Sequence, residues 1–133
     1  MRHLDAARPL LGTLPRQLIH GDIGPDNVLM DGDDVVAVID FTPYHEPFVF
    51  VFAVAVYWYH VYGRDALDTA AVDASLAAAG AVRPWTADEI AAWPAMLIRE
   101  SLSRLAVSLA TGQPSGPRYT AARLVAEHLS STW

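Results

Sequence analysis

With 133 residues, 53% of them hydrophobic, and a net charge of −6, the chain is long enough for one domain, residues 1–133, that buries roughly two thirds of the surface its unfolded form exposes. That apolar content excludes disorder, and the acidic balance argues against a nucleic-acid partner, because a phosphate backbone needs a basic footprint. The absence of cysteine excludes disulfides, zinc–thiolate sites and a cysteine nucleophile, in keeping with a cytoplasmic location. Taken from the start of the chain, residues 2–14 read as one short helix ahead of an extended segment, Pro15-Arg16-Gln17-Leu18-Ile19, that feeds a tight loop.

The loop is His20-Gly21-Asp22-Ile23-Gly24-Pro25-Asp26-Asn27. It fits His-x-Asp-x-x-x-x-Asn, the pattern by which kinases put a catalytic aspartate and a metal-holding asparagine on one turn. Phosphoryl transfer asks a protein mainly to position charge around a hydroxyl, a nucleoside triphosphate and Mg²⁺. One carboxylate must meet the hydroxyl, and two further oxygen ligands must hold a hard cation. Asp22 is placed for the first task, and Asn27 with Asp40, in Val38-Ile39-Asp40-Phe41, for the second. Gly21, Gly24 and Pro25 permit the bends of such a loop.

Asn27-Val28-Leu29-Met30, the turn-forming Asp31-Gly32-Asp33-Asp34 and the apolar run Val35–Ile39 predict a β-hairpin around residues 28–40. Its second strand brings Asp40 back beside Asn27. Asp26, Asp31, Asp33 and Asp34 read as solvated loop and turn residues.

His20 to Leu29 and Val38 to Phe41 resemble the catalytic and metal-binding motifs of the aminoglycoside phosphotransferase and choline kinase superfamily, in which glycine stands between the histidine and the aspartate. The resemblance implies a mostly α (α+β) fold, a kinase-like C-terminal lobe that is helical with one small β-hairpin. It implies that Asp22 is the catalytic base, that Asn27 and Asp40 are the Mg²⁺ ligands, and that these two with His20 form the cofactor-binding set for Mg²⁺ and ATP. His20 braces the loop in that scheme, hydrogen-bonding backbone rather than handling protons.

Two features depart from the family pattern. Only nineteen residues precede His20 and all nine basic residues are arginine, so the chain holds neither the five-stranded N-terminal lobe nor the lysine that kinases set on the phosphates. After Phe41, moreover, the chain reads Thr42-Pro43-Tyr44-His45-Glu46-Pro47, without the aspartate by which relatives tie the next helix to the catalytic loop; Glu46 is either the substitute or a surface residue favoured by the dipole of the helix that follows.

Phe48 to Tyr59 is a charge-free run too short to span a bilayer. Its aromatics at 48, 50 and 52 alternate like a strand, but its length and the resemblance predict a buried helix from Pro47 to near Gly63. Residues 65–79 predict a helix capped by Gly80, and Thr86-Ala87-Asp88-Glu89 is a capping box opening another. Pro94 either kinks that helix or begins a new one. Ile98, Leu102, Leu105 and Leu109 share one of its faces, and Glu100 pairs with Arg104 on another. Gly112 to Pro117 is a loop and Tyr119 to Leu129 a closing helix. The five histidines show no paired metal spacing.

These features point to the C-lobe of an ATP- and Mg²⁺-dependent small-molecule phosphotransferase, aminoglycoside phosphotransferase-like, which is a truncated and inactive enzyme unless an N-lobe completes it. A choline, homoserine or sugar kinase relative is the close variant, and a non-catalytic kinase-like interaction module the alternative. The expected partners are a small hydroxyl substrate and either a second copy or a separately encoded N-lobe meeting an apolar face near Leu10, Leu11, Leu14 and Leu18, with no membrane.

Overall fold

The computed structural model describes residues 2–113 and 115–132. Helix α1 (Arg2–Thr13) leads into strand β1 (Arg16–His20), a single helical turn at Pro25–Asn27, strands β2 (Val28–Asp31), β3 (Asp34–Val38) and β4 (Pro43–Pro47), and then helices α2 (Phe48–Val56), α3 (Thr69–Val82), α4 (Ala87–Thr111) and α5 (Gly116–Thr132). The fold is mostly α with a small β component, as the sequence predicts.

Helix α2 is apolar almost throughout because most of it is covered: Val49, Phe50, Ala53, Val54 and Val56 are buried in one cluster with Met96 and Leu97 of α4, and α2 packs mainly on α4, with smaller contacts to β1, β4 and α3. Its β-branched residues disfavour a helix slightly, and burial of nearly the whole segment outweighs that cost. The helix continues as a π-helical turn, Tyr57–Val61, closed by the Tyr62 N–H donating to the Tyr57 carbonyl at 2.7 Å. Turns of this kind insert a residue and re-aim side chains, and this one carries Trp58.

The hairpin β2–β3 forms as expected, with Val28 opposite Val38 and a bulge between Leu29 and Met30. A second antiparallel pair, β1 with β4, was not anticipated; it sets Arg16 opposite Pro47 and His20 opposite Pro43. The prolines that make residues 43–47 look like a loop sit at the two ends of the strand, where a missing N–H is tolerated.

Helix α3 begins at Thr69, not at residue 65, because the carboxylate that caps it is Asp68, accepting from the Ala71 N–H at 3.0 Å. Gly80 lies inside that helix instead of ending it. A Cβ there would stand 2.9 Å from the Trp85 ring, whose Nε1 donates to the Leu76 carbonyl at 3.0 Å, so glycine serves a close packing contact.

Helix α4 has the predicted capping box, with Thr86 and Glu89 bonded reciprocally, and Pro94 is accommodated within one continuous helix. The face of α4 turned to the core is Ala92, Trp93, Met96, Leu97 and Ser101, whereas Leu102 and Leu109 are exposed. The apolar surface near α1 is largely closed: Leu14 is buried and Leu11 packs on the core, while Leu18 is exposed. Instead the larger uncovered apolar surface is the hairpin, where Met30, Val35, Val36, Val38 and Phe41 all face solvent.

Candidate active site

Strand β1 delivers the loop to the surface of the helical core with Ile19 and His20 buried. Gly21 extends the ladder, its N–H donating to the Thr42 carbonyl at 2.8 Å. A Cβ on Gly21 would lie 2.6 Å from the Tyr44 ring, which is a local physical reason for glycine in the His-Gly-Asp sequence.

Both ring nitrogens of His20 meet backbone. Nδ1 accepts from the Asp22 N–H at 3.1 Å, so the proton of the neutral ring sits on Nε2, 3.0 Å from the Ile39 carbonyl that receives it. The ring also meets Phe41 edge-on at 5.3 Å. One side chain thus links the catalytic loop to the segment before Asp40.

Asn27 closes the loop on itself, its Nδ2 donating to the Asp22 carbonyl at 2.8 Å, which leaves the amide oxygen as the group free for a cation. Its own carbonyl accepts from the Ile39 N–H at 2.9 Å, continuing the hairpin register. The next residue, Asp40, adopts φ +52°, a left-handed conformation that an aspartate tolerates better than most residues but still disfavours. Asp22, Asn27 and Asp40 line a single cleft of about 290 Å³ together with Gly24, Asp26 and Trp58. The hairpin therefore brings the three predicted residues to one place, and adds Asp26, which the sequence left as a solvated loop residue.

Asp22 is held from the helical side. Its Oδ1 accepts from Trp58 Nε1 at 3.1 Å and from Arg104 Nη2 at 2.8 Å, and Arg104 also reaches the Gly21 carbonyl at 3.4 Å. Arg104 lies over the Trp58 ring, 5.0 Å from its centroid, and its Nε donates to Glu100 at 2.7 Å. Burial pushes the Glu100 carboxyl above the ordinary carboxylate range, although Arg104 draws it back. For Arg104 burial acts against the charge, and the attraction of Glu100 and Asp22 outweighs it, raising the pKa further. The guanidinium is a fixed positive charge between two carboxylates.

The sequence shows only the Glu100–Arg104 half of this network and singles out no role for Trp58. The contacts of Trp58 and Arg104 to Asp22 cross 36 and 82 residues. Nor does Glu46 replace the missing tethering aspartate: it pairs with Arg99 and, at 3.6 Å, with Arg16, joining α4 to β1. The residue that ties the His20–Asn27 loop to the helices is Arg104.

The donor set suits a hard cation, with the Asn27 amide and the Asp40 carboxylate both offering oxygen. Among the described residues no cluster of three or more histidines, cysteines or carboxylates could hold a metal. A pair of oxygen ligands is what Mg²⁺ requires when phosphate and water complete its shell.

The architecture and this loop define a class. The chain belongs to the phosphotransferase enzyme family, whose model matches residues 1–93. Among curated proteins it is 47% identical over 97 residues to a homoserine kinase of Methylobacillus flagellatus, covering 69% of this chain and 30% of that one. It is 38% identical over 107 residues to a homoserine kinase of Pseudomonas aeruginosa (77% and 33% covered) and 37% over 110 residues to one of Neisseria meningitidis (77% and 35%). The chain spans about a third of the length of these relatives. No solved structure matches. Among the described residues no helix is long and apolar enough to cross a membrane.

Proposed function

We propose that the chain carries the catalytic loop and metal ligands of an ATP-dependent kinase whose acceptor is the side-chain hydroxyl of homoserine. The observation that carries this reading is the convergence of Asp22, Asn27 and Asp40 on one cleft, in a chain whose curated relatives are homoserine kinases. Within the set of acceptors compatible with the motif, those relatives favour the amino acid over aminoglycosides, choline or sugars.

In the mechanism, Asp22 is the general base. Its Oδ1 is occupied by Arg104 and Trp58, so Oδ2 is the atom that takes the proton from the acceptor hydroxyl while the hydroxyl oxygen bonds to the γ-phosphorus of ATP and the bond to the leaving ADP breaks. Arg104 and Trp58 orient the base and hold its charge without competing for that oxygen. His20 positions the loop through backbone alone. Asn27 and Asp40 would hold Mg²⁺, which would offset the charge of the phosphates.

The chain contains no lysine, so the lysine that grips the phosphates comes from another segment, either the remaining length of a longer protein or a separate chain. The exposed hairpin is the surface we assign to that lobe. The same lack of lysine favours a second reading for the 133 residues in isolation, a non-catalytic kinase-like module.

The test is transfer of phosphate from ATP to homoserine by the chain alone and by the chain supplied with the lysine-bearing N-terminal lobe of a homoserine kinase relative. Negligible turnover alone, and turnover on completion that Asp22→Asn lowers by at least about a hundredfold, is the expected result. Turnover indifferent to Asp22→Asn, or transfer to sugars or choline in preference to homoserine, contradicts it.

A further inference from the structure

Beside the catalytic cleft lies a second, larger one of about 560 Å³, whose walls include Tyr44, Arg99, Ser103, Arg104, Val107 and Arg118. The two clefts meet at the Arg104–Asp22 bond: Asp22 lines the first, Arg104 the second. The charges of the second are unequally matched. Arg99 is paired with Glu46, and Arg104 with Glu100 and Asp22. Arg118 has no carboxylate partner among the described residues. Its Nη1 donates to the Ser108 hydroxyl at 2.7 Å and to the Gln113 side-chain oxygen at 3.1 Å, both neutral, and its Nε is buried with no hydrogen-bond partner.

Those two bonds hold the guanidinium by one end only. The Nε–Nη2 edge that they leave unused is the fork that fits a carboxylate with two parallel hydrogen bonds. The hydroxyl of Ser108 that anchors Arg118 lies four residues after Arg104 on the same helix, which sets it about one turn, ~6 Å, further along the axis. A short molecule with a carboxylate at one end and a hydroxyl at the other spans such a separation. With the carboxylate on Arg118, the other end of such a molecule would lie along the cleft toward Arg104, which bonds Asp22.

We propose that Arg118 is the carboxylate-recognition residue of the acceptor site, and that the larger cleft takes a short hydroxylated carboxylic acid, with the hydroxyl presented to Asp22. This rests on the phosphotransferase reading for the role of Asp22, but not for the binding of the carboxylate. A turn of the guanidinium plane toward the cleft would give the buried Nε–H the acceptor it lacks. Burial of Tyr57, which pushes its hydroxyl up to about 12 against the pull of Arg118 and Arg104, marks the ground behind this site as dry, where a charge-assisted bond gains strength.

The experiment follows the Arg118 Nε–H resonance by NMR as the full 133-residue chain is titrated with L-homoserine, with 4-hydroxybutyrate, with homoserinol, in which the carboxylate is reduced to an alcohol, and with Mg²⁺–ATP. Homoserine and 4-hydroxybutyrate should shift that resonance and homoserinol should not. Arg118→Gln should weaken homoserine binding by at least about tenfold, and Arg118→Lys, which keeps the charge and loses the fork, should recover only part of the loss. Equal binding of homoserinol and homoserine overturns the assignment on the unaltered chain, whatever the variants do. So does a shift produced by ATP and not by the hydroxy acids, which would make Arg118 a phosphate ligand. Carboxylate binding through Arg118 in a protein that, once completed, transfers no phosphate would overturn the phosphotransferase reading and leave this site standing.

Discussion

The hairpin and α2 are written in the same apolar residues and treated in opposite ways. Val36 is 61% exposed and Phe41 55%, while Val49 and Val54 are fully buried. Helix α2 finds α4 on one side and β1, β4 and α3 on others and becomes the centre of the core; the hairpin projects from that core with its own two strands as its only sheet. Exposed apolar surface of that extent is characteristic of a face made to be covered. One part of the chain is closed on itself, the other leaves apolar area open, and Asp22 lies where they join.

The largest effect that tests this division is Phe50→Ala, which should cost about 3–5 kcal/mol in urea unfolding, as for a buried aromatic. Val36→Ala on the hairpin should change stability by less than about 0.5 kcal/mol. Similar costs at the two positions would show that the hairpin is buried in solution.

Arg104→Ala should come next, at about 3 kcal/mol, because it leaves Glu100 buried and unpaired. Its pH dependence has a definite sign. The Glu100 carboxyl is already raised by burial and rises further without Arg104, so the stability that its protonation supplies is present at low pH and lost as pH rises through the folded-state value. The deficit of Arg104→Ala should therefore shrink on acidification, as thermal melts across pH would show, and a deficit that grew would refute the burial of Glu100.

Gly21→Ala forces a Cβ against the Tyr44 ring at 2.6 Å and should destabilise by about 1–3 kcal/mol; Tyr44→Ala in the same chain should remove most of that cost. Smallest is the contribution of Glu46, whose carboxyl is held low first by its hydrogen bond from Arg99. That stability is present above the ordinary value of 4.5 and lost as pH falls through the lowered one. Glu46→Gln should accordingly flatten the acid limb of the stability curve.

The convergence of the candidate residues was legible in the sequence because most of them are contiguous: His20, Asp22 and Asn27 lie within eight residues, and a hairpin with a two-residue turn brings Asp40 to them. The helices were legible in outline, with the continuity of α4 through Pro94 left open and the helix ends less clear. Asp65 and Asp68 are both acceptable caps, and only the Ala71 N–H shows which one serves. Gly80 carries the same signal whether it ends a helix or admits Trp85. Strand β4 was hidden by its prolines. The support of Asp22 was hidden for a different reason: Trp58 and Arg104 reach it through tertiary packing, with no local pattern that marks a tryptophan on a π-helical turn as a hydrogen-bond donor to a distant carboxylate.

The central claim is that Asn27 and Asp40 share one cation beside Asp22, and the most direct test is Mn²⁺ in place of Mg²⁺ on the 133-residue chain, read by paramagnetic broadening of its NMR resonances. The account predicts that residues 22–27 and 38–41 broaden first, and that Asp40→Ala abolishes the effect while leaving the spectrum of the helices intact. Broadening centred elsewhere, such as on Glu127, with residues 22–27 and 38–41 sharp throughout, would contradict it.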